Sequence, residues 1–175
     1  MIHTAAWLIL ICCFSVQPIF ADERIAVGDG GVSFIPPAGF KQLTKEEIAK
    51  KFFRGNPPQY VFANDTLTVS VAVTFSKANM APEQLPEYKE AMEAMFPRLI
   101  PGLQWLTRDY VEIGGRKWLH LEMTSHALDT DIHNHLYNTS FDGKVLMFGF
   151  NSTVKEYPKV KEMLKKSAQS IKLSE

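Results

Sequence analysis

Apolar and polar residues alternate along several stretches of this chain, which is the pattern of a β-strand with one buried face. The clearest case is 66–75, where Leu67, Val69, Val71, Val73 and Phe75 would all face one side. The same pattern predicts seven strands, at 32–35, 59–63, 66–75, 105–113, 117–123, 132–141 and 144–151.

Three short turn signals join these predicted strands in pairs. They are Asn64-Asp65, Gly114-Gly115 and Asp142-Gly143, and each separates two alternating stretches. Two-residue connections of this composition are typical of β-hairpins. Strands joined by a hairpin run antiparallel, so the sequence predicts an antiparallel sheet.

Apolar residues at helical spacing predict three helices between the strands. A short helix begins after Thr44, where Thr44 and Glu47 form a capping-box pattern, and ends before Pro57. Longer helices are predicted at 82–99 and 157–171. Hairpin-linked strands with separate helices indicate an α+β fold, an antiparallel sheet of about six to seven strands flanked by helices.

The start of the chain has the pattern of a cleavable export signal. An apolar run at 5–14 is shorter than the roughly 20 residues that a membrane-spanning helix needs. Ile19 and Ala21 then fit the −3 and −1 positions of a signal-peptidase site. We therefore expect a signal peptide at 1–21, a single domain at 22–175, and a periplasmic or secreted protein.

Composition and charge exclude several classes of function for the exported domain. Both cysteines, Cys12 and Cys13, lie in the predicted signal peptide, so a disulfide framework, a thiolate metal site and a cysteine nucleophile are excluded. The chain has 19 basic and 19 acidic residues, a balance that predicts no nucleic-acid partner. Because no second apolar stretch approaches spanning length, we expect no stable membrane insertion after cleavage.

Three segments together resemble one superfamily. They are 32–40 (VSFIPPAGF), 111–118 (VEIGGRKW) and 139–146 (TSFDGKVL), followed by a closing helix. The chain resembles the PsbP/DcrB-like superfamily, as an exported bacterial member without the lipid-anchor cysteine, over nearly the whole predicted domain. The resemblance implies a PsbP-like α/β/α sandwich that serves binding or assembly, and it brings no catalytic residue with it.

The strongest candidate chemistry lies in the stretch 129–135, which contains two histidines and two aspartates. His133 and His135 would point to the same face of a strand. With a carboxylate and a further histidine, such as His120, from the neighbouring strand, they could hold Zn²⁺ or Cu²⁺. The alternative is a polar strand face on which the histidines form hydrogen bonds with their neighbours.

The same region offers no catalytic constellation. Asp131 and His133 could form an acid–base pair, and Ser125 lies next to His126. However, Ser125 has neither the flanking residues of a nucleophile elbow nor a recognisable oxyanion device. We therefore predict that the protein is not an enzyme.

Aromatic and polar side chains around the hairpins are candidates for partner or ligand binding. Trp105 and Trp118 flank the predicted Gly114-Gly115 turn, and His126 and Asp131 flank the next connection. Exposed aromatic residues often anchor protein interfaces, although core packing is favoured for at least one of the two tryptophans. We predict a non-catalytic binding, assembly or accessory protein that acts through a protein partner in the periplasm. The alternative is a periplasmic module that binds a metal or small ligand on the His133/His135 strand face.

Overall fold

The seven predicted strands and three predicted helices lie close to their predicted positions, and three further short strands, at 25–27, 41–42 and 172–173, lie outside the predicted stretches. The computed structural model describes residues 23–53, 56–127 and 129–174, so the predicted signal peptide at 1–21 lies outside the described residues. The strands are β1 Ile25–Val27, β2 Val32–Phe34, β3 Lys41–Gln42, β4 Tyr60–Ala63, β5 Val69–Asn79, β6 Gln104–Ile113, β7 Arg116–His126, β8 Asp131–Phe141, β9 Lys144–Thr153 and β10 Lys172–Leu173. The helices are α1 Lys45–Lys51, α2 Leu85–Leu99 and α3 Tyr157–Gln169.

Seven of the strands form one antiparallel sheet, here called the main sheet. Its strand order is β3-β4-β5-β9-β8-β7-β6, and every neighbouring pair is antiparallel. A second, small sheet has the order β1-β2-β10. The predicted α+β class and the antiparallel sheet of six to seven strands are confirmed.

The first predicted strand does not belong to the main sheet. β2 pairs with β1 and β10 instead, and the short strand β3 takes the edge of the main sheet beside β4. The reason lies in Phe34, which is fully buried and packs edge-on against Phe62 and Phe148 with centroid distances of 5.2 and 5.3 Å. Phe34 therefore lies over the face of the main sheet, and its strand cannot extend the sheet sideways.

Helices cover both faces of the main sheet, so the molecule has three layers. α3 and the small sheet pack on one face, where the core contains Trp118, Phe148, Phe150, Leu164, Ala168 and Ile171. α2 packs on the other face over Leu119, Leu121 and Met123, and α1 contributes Ile48 beside Val61 and Ala72. This is the predicted α/β/α sandwich. None of the helices in the described ranges combines the length and apolar character needed to cross a bilayer.

Two of the three predicted hairpin turns have the expected backbone. Gly114 and Gly115 adopt φ of 61° and 76°, and Asp142 and Gly143 adopt φ of 50° and 67°. These left-handed conformations are those that two-residue hairpin turns require. The predicted capping box is also present, since Thr44 N donates to the Glu47 carboxylate and Glu47 N donates to the Thr44 hydroxyl.

The third hairpin is longer than predicted. β5 begins at Val69, and the Asn64 side chain closes the loop by accepting from Val69 N and donating to the hydroxyls of Thr66 and Thr68. Leu67 has φ of 57° and is 44% exposed. The prediction that Leu67 shares the buried face of its strand is therefore wrong, because the local hydrogen bonds of Asn64 favour a loop there.

The two tryptophans that were candidates for partner binding differ in their contribution to stability. Trp118 is fully buried and its indole N–H donates to Ile113 O at 3.2 Å, whereas Trp105 is only partly buried. We expect Trp118→Ala to lower the free energy of unfolding by about 3–5 kcal/mol through loss of core contacts, measured by urea denaturation. Trp105→Ala should lower it less, and equal losses would contradict the assignment of Trp118 to the core.

Candidate functional site

Two neighbouring strands place histidine and glutamate side chains on the face of the main sheet that α3 covers. Because side chains alternate along a strand, His120 and Glu122 on β7 point to the same face. On β8, His133, His135 and Tyr137 share that face. The antiparallel register sets Glu122 opposite His135 and His120 opposite Tyr137, so the five side chains are neighbours across one strand pair.

Tyr157, the first residue of α3, joins these strands through hydrogen bonds. His120 Nε2 lies 3.0 Å from His135 Nδ1, and His135 Nε2 lies 2.9 Å from the Tyr157 hydroxyl. That hydroxyl donates to Glu122 Oε1 at 3.4 Å. His120, Glu122, His133, His135 and Tyr157 are called the histidine cluster below.

Both oxygens of the Glu122 carboxylate have hydrogen-bond partners. His133 Nε2 lies 2.7 Å from Oε1, and the Thr107 hydroxyl donates to Oε2 at 3.2 Å. Because an ionised carboxylate only accepts hydrogen bonds, Nε2 of His133 carries the proton. The side chains of His133 and Glu122 are only 8% and 18% exposed, so this pair orients the carboxylate within the protein.

Ring stacking fixes the orientation of the imidazoles. The rings of His133 and Tyr157 stack with a centroid distance of 3.5 Å, and those of His120 and Tyr137 with 4.5 Å. The ring planes of His120 and His135 are nearly parallel, with an angle of 2° between them. The hydrogen bonds and the stacked rings together hold each imidazole ring in one orientation.

Burial keeps two of the imidazoles neutral. It lowers the pKa of His135 to about 4, against the opposing attraction of the Glu122 charge, while neighbouring His120 and His133 lower it further. Burial also lowers the pKa of His120, although the charges of Glu122 and Asp109 oppose this. Both imidazoles are therefore unprotonated at neutral pH, which is the form that binds metals.

The acidic groups of the site have distinct protonation states. Burial raises the pKa of Glu122, but the hydrogen bond from His133 and the charges of His135 and His133 more than offset this, so the pKa lies below its ordinary value. Burial, together with the Glu122 charge, raises the pKa of Tyr137 and of Tyr157 to about 12. At neutral pH the site therefore holds one carboxylate and two neutral phenols.

Three members of the cluster converge as possible metal ligands. Within the described ranges, His120, Glu122 and His135 each offer one ligand atom, and the three atoms lie within 4.8 Å of one another. Two imidazoles and a carboxylate form a ligand set found at zinc sites. His120 Nε2 and His135 Nδ1 lie 3.0 Å apart in a hydrogen bond, so a metal that took both nitrogens would replace that bond.

The predicted metal residues occupy two different places in this arrangement. His135 is one of the three converging donors, and His133 lies behind Glu122 as its hydrogen-bond partner. The sequence pattern indicated a carboxylate and a further histidine, such as His120, as the remaining ligands, but it did not single out Glu122. Glu122 could have been found from the predicted β7–β8 pairing, because it lies on the face of His120 and directly opposite His135.

A cavity of about 330 Å³ adjoins the three donors. His120, Glu122 and His135 contribute to its lining together with Tyr137, Tyr157 and Phe150. Residues of β6 and α3 complete the lining. The donors are therefore accessible from this cavity.

The other predicted binding residues lie apart from the cluster's hydrogen bonds. His126 Nδ1 pairs with Asp131 Oδ1 across β7 and β8, and both side chains are more than half exposed. Trp105 stacks on Phe96 with a centroid distance of 6.0 Å and is partly buried. Trp118 lies in the core, so the expectation that it binds a partner is corrected: its side chain is fully enclosed.

The two tryptophans also do not pair with each other. The register of β6 and β7 sets Trp118 opposite Val111 and Trp105 opposite Met123. Trp118 belongs to the core beneath α3 and Trp105 to the core beneath α2. The pairing of β6 with β7 shifts register between Trp105 and Thr107. The side chains of β6 therefore do not alternate regularly between the two faces of the sheet along its whole length.

Comparison with solved structures identifies the fold. The solution structure of cyanobacterial PsbP from Synechocystis is 15% identical, with 91% of this chain and 97% of that chain covered and a TM-score of 0.61. LpqN, which is involved in cell envelope biogenesis of Mycobacterium tuberculosis, is 12% identical, with 87% and 90% covered and a TM-score of 0.60. A Mog1 variant is 10% identical, with 89% and 97% covered and a TM-score of 0.54.

These likenesses show that the chain has a PsbP-like fold, which confirms the resemblance seen in its sequence. At identities of 10–15% they show the fold alone. No protein-family model and no curated protein matches the sequence.

The lowered pKa of His135 makes stability depend on pH. Between pH 6.5 and about 4 the unfolded chain binds a proton at this residue and the folded chain does not, so stability falls as pH falls through this window. The contribution reaches at most about 3 kcal/mol at the acid end. Urea denaturation across this range should show a smaller pH slope for His135→Gln than for wild type. Equal slopes in the two proteins would contradict the neutral state of His135.

Proposed function

We propose that this protein is an exported, non-catalytic binding module of the cell envelope that takes a divalent transition-metal ion on His120, Glu122 and His135. The observation that supports this most directly is the convergence of the three ligand atoms within 4.8 Å. The proposal fits an accessory or envelope protein, the broad class indicated by the PsbP-like fold and by the similarity to LpqN.

The donor set favours Zn²⁺ or Cu²⁺ over other ions. Two imidazole nitrogens suit these borderline metals, whereas Mg²⁺ and Ca²⁺ prefer ligand sets made of oxygen. Because His120 and His135 are neutral at neutral pH, a metal need not displace a proton from a charged imidazole. Only the proton shared between His120 and His135 must move for both nitrogens to bind.

His133 and Thr107 support the site without binding the metal themselves. Each makes a hydrogen bond to one oxygen of Glu122. Such outer partners fix the direction of a ligating carboxylate, and their removal typically weakens metal affinity by about 10–100-fold.

Isothermal titration of the exported domain with Zn²⁺ and Cu²⁺ tests this proposal. Wild type should bind one ion per chain, and His135→Ala should abolish this uptake because it leaves only two of the three donors. We expect His133→Ala to bind about 10–100-fold more weakly, since Glu122 loses its main hydrogen bond.

His126→Ala is the matched control for this titration. It also removes a histidine from the end of β7, but that residue pairs with Asp131 outside the cluster. Its affinity should equal that of wild type. The absence of uptake by wild type, or an equal loss in the His126 variant, contradicts the proposed site.

A second candidate function is the docking of a protein partner through α2 and the adjoining part of β6. Leu99 and Leu106 are 65% and 54% exposed and Met95 is 38% exposed. Next to them, Trp105 stacks on Phe96. The Arg108 guanidinium lies over the Trp105 ring, 5.7 Å from its centroid. Large apolar side chains beside a half-buried tryptophan are common at protein interfaces.

A charge placed on α2 tests the docking surface. We expect Leu99→Asp to abolish capture of a specific protein from native envelope fractions, because a carboxylate would be desolvated in the interface. Leu67→Asp is the control, since Leu67 is also exposed but lies in the β4–β5 loop. Retention of the same protein by the Leu99 variant would count against this surface.

A further inference from the structure

We propose that the cavity beside the histidine cluster binds a small carboxylate with an apolar body, whose carboxylate completes the coordination of the metal. This inference rests on the proposed metal site. It assigns a ligand class to the cavity of about 330 Å³, which the metal alone would not fill.

The proposed metal site has fewer protein ligands than a four-coordinate metal needs. His120, Glu122 and His135 supply three ligand atoms, and a tetrahedral metal with three protein ligands keeps one position for a water or an added ligand. All three residues line the cavity. A small molecule in the cavity can therefore approach the metal from the side that the protein leaves open.

The charge of a metal-loaded site favours an anionic ligand. A divalent ion on two neutral imidazoles and one carboxylate leaves a net charge of about +1 at a site whose side chains are largely buried, and an uncompensated buried charge is unfavourable. The cavity lining also contains two lysines and two further glutamates, Lys161, Lys165, Glu112 and Glu162, all of them exposed. Since these four charges cancel, the metal itself determines the preference for an anionic head group.

Much of the remaining cavity lining is apolar. Five apolar side chains contribute to it: Val111, Ile113, Phe150, Leu164 and Ala168. They form a surface that a carboxylate-bearing hydrocarbon or aromatic ring can contact once its head group lies on the metal. The cavity volume lies at the lower end of the range of about 300–1,000 Å³ that is usual for small-molecule sites.

The test measures zinc affinity with and without phenylacetate as the probe. If phenylacetate coordinates the bound zinc, zinc and phenylacetate each raise the affinity of the protein for the other by the same factor. We expect phenylacetate to raise zinc affinity by about tenfold and to bind measurably only to the zinc-loaded protein. Acetate has the same head group without the ring, and phenylacetamide has the ring without the charge, so both should have smaller effects.

Variants of the apolar lining separate the cavity from the metal site. Ala168→Leu places extra side-chain volume in the cavity without touching a metal donor, and Val111→Phe does so from β6 on the other side. Both should retain zinc affinity and lose the enhancement by phenylacetate. Because Ala168 is 2% exposed and its replacement could disturb folding, the partly buried Val111 provides the independent variant.

The possible results distinguish this inference from the metal proposal. Zinc uptake that phenylacetate does not strengthen overturns the cavity ligand and leaves the metal site standing. Lack of zinc uptake overturns the metal site and with it this inference. Three other results overturn the proposed mode of binding. Phenylacetate could bind equally with and without zinc, or acetate or phenylacetamide could have an equal effect. The third is an enhancement of zinc affinity that both lining variants retain.

Discussion

The Glu122 carboxylate is the group on which the arrangement of the site depends. A largely buried carboxylate is unfavourable by several kcal/mol unless hydrogen bonds replace its lost hydration. His133 and Thr107 supply two of these bonds and Tyr157 a weaker third. These contacts tie together β6, β7, β8 and the start of α3, so the carboxylate that could bind a metal also links four elements of the fold.

The hydrogen bond between His120 and His135 lies in the same buried environment. Two neutral imidazoles at 3.0 Å need one N–H and one free nitrogen between them, and the tautomer of each depends on the other. Tyr157 extends this dependence, because its hydroxyl lies between His135 and Glu122. Without a metal the network satisfies its own hydrogen bonds, and with a metal the same nitrogens become ligands.

Much of the fold was predictable because strand alternation and turn residues act locally. The turns at Gly114-Gly115 and Asp142-Gly143 adopt the expected backbone, and β8 and β9 start within one residue of their predicted positions. The alternation failed at Leu67, where the side chain of Asn64 stabilises a loop. Predictions therefore held where local preference and tertiary pairing agree, and failed where a side chain offered the backbone other partners.

For this protein the sequence by itself determined the antiparallel α+β class, the positions of the main helices, and a strand face carrying His133 and His135. Only the tertiary structure decided that β2 leaves the main sheet, that Trp118 is enclosed, and that Glu122 meets the histidines. Each of these depends on which side chains lie opposite or above one another across distant segments. Periodicity assigns a residue to a face of its own strand, whereas register and layer packing decide which residue it contacts.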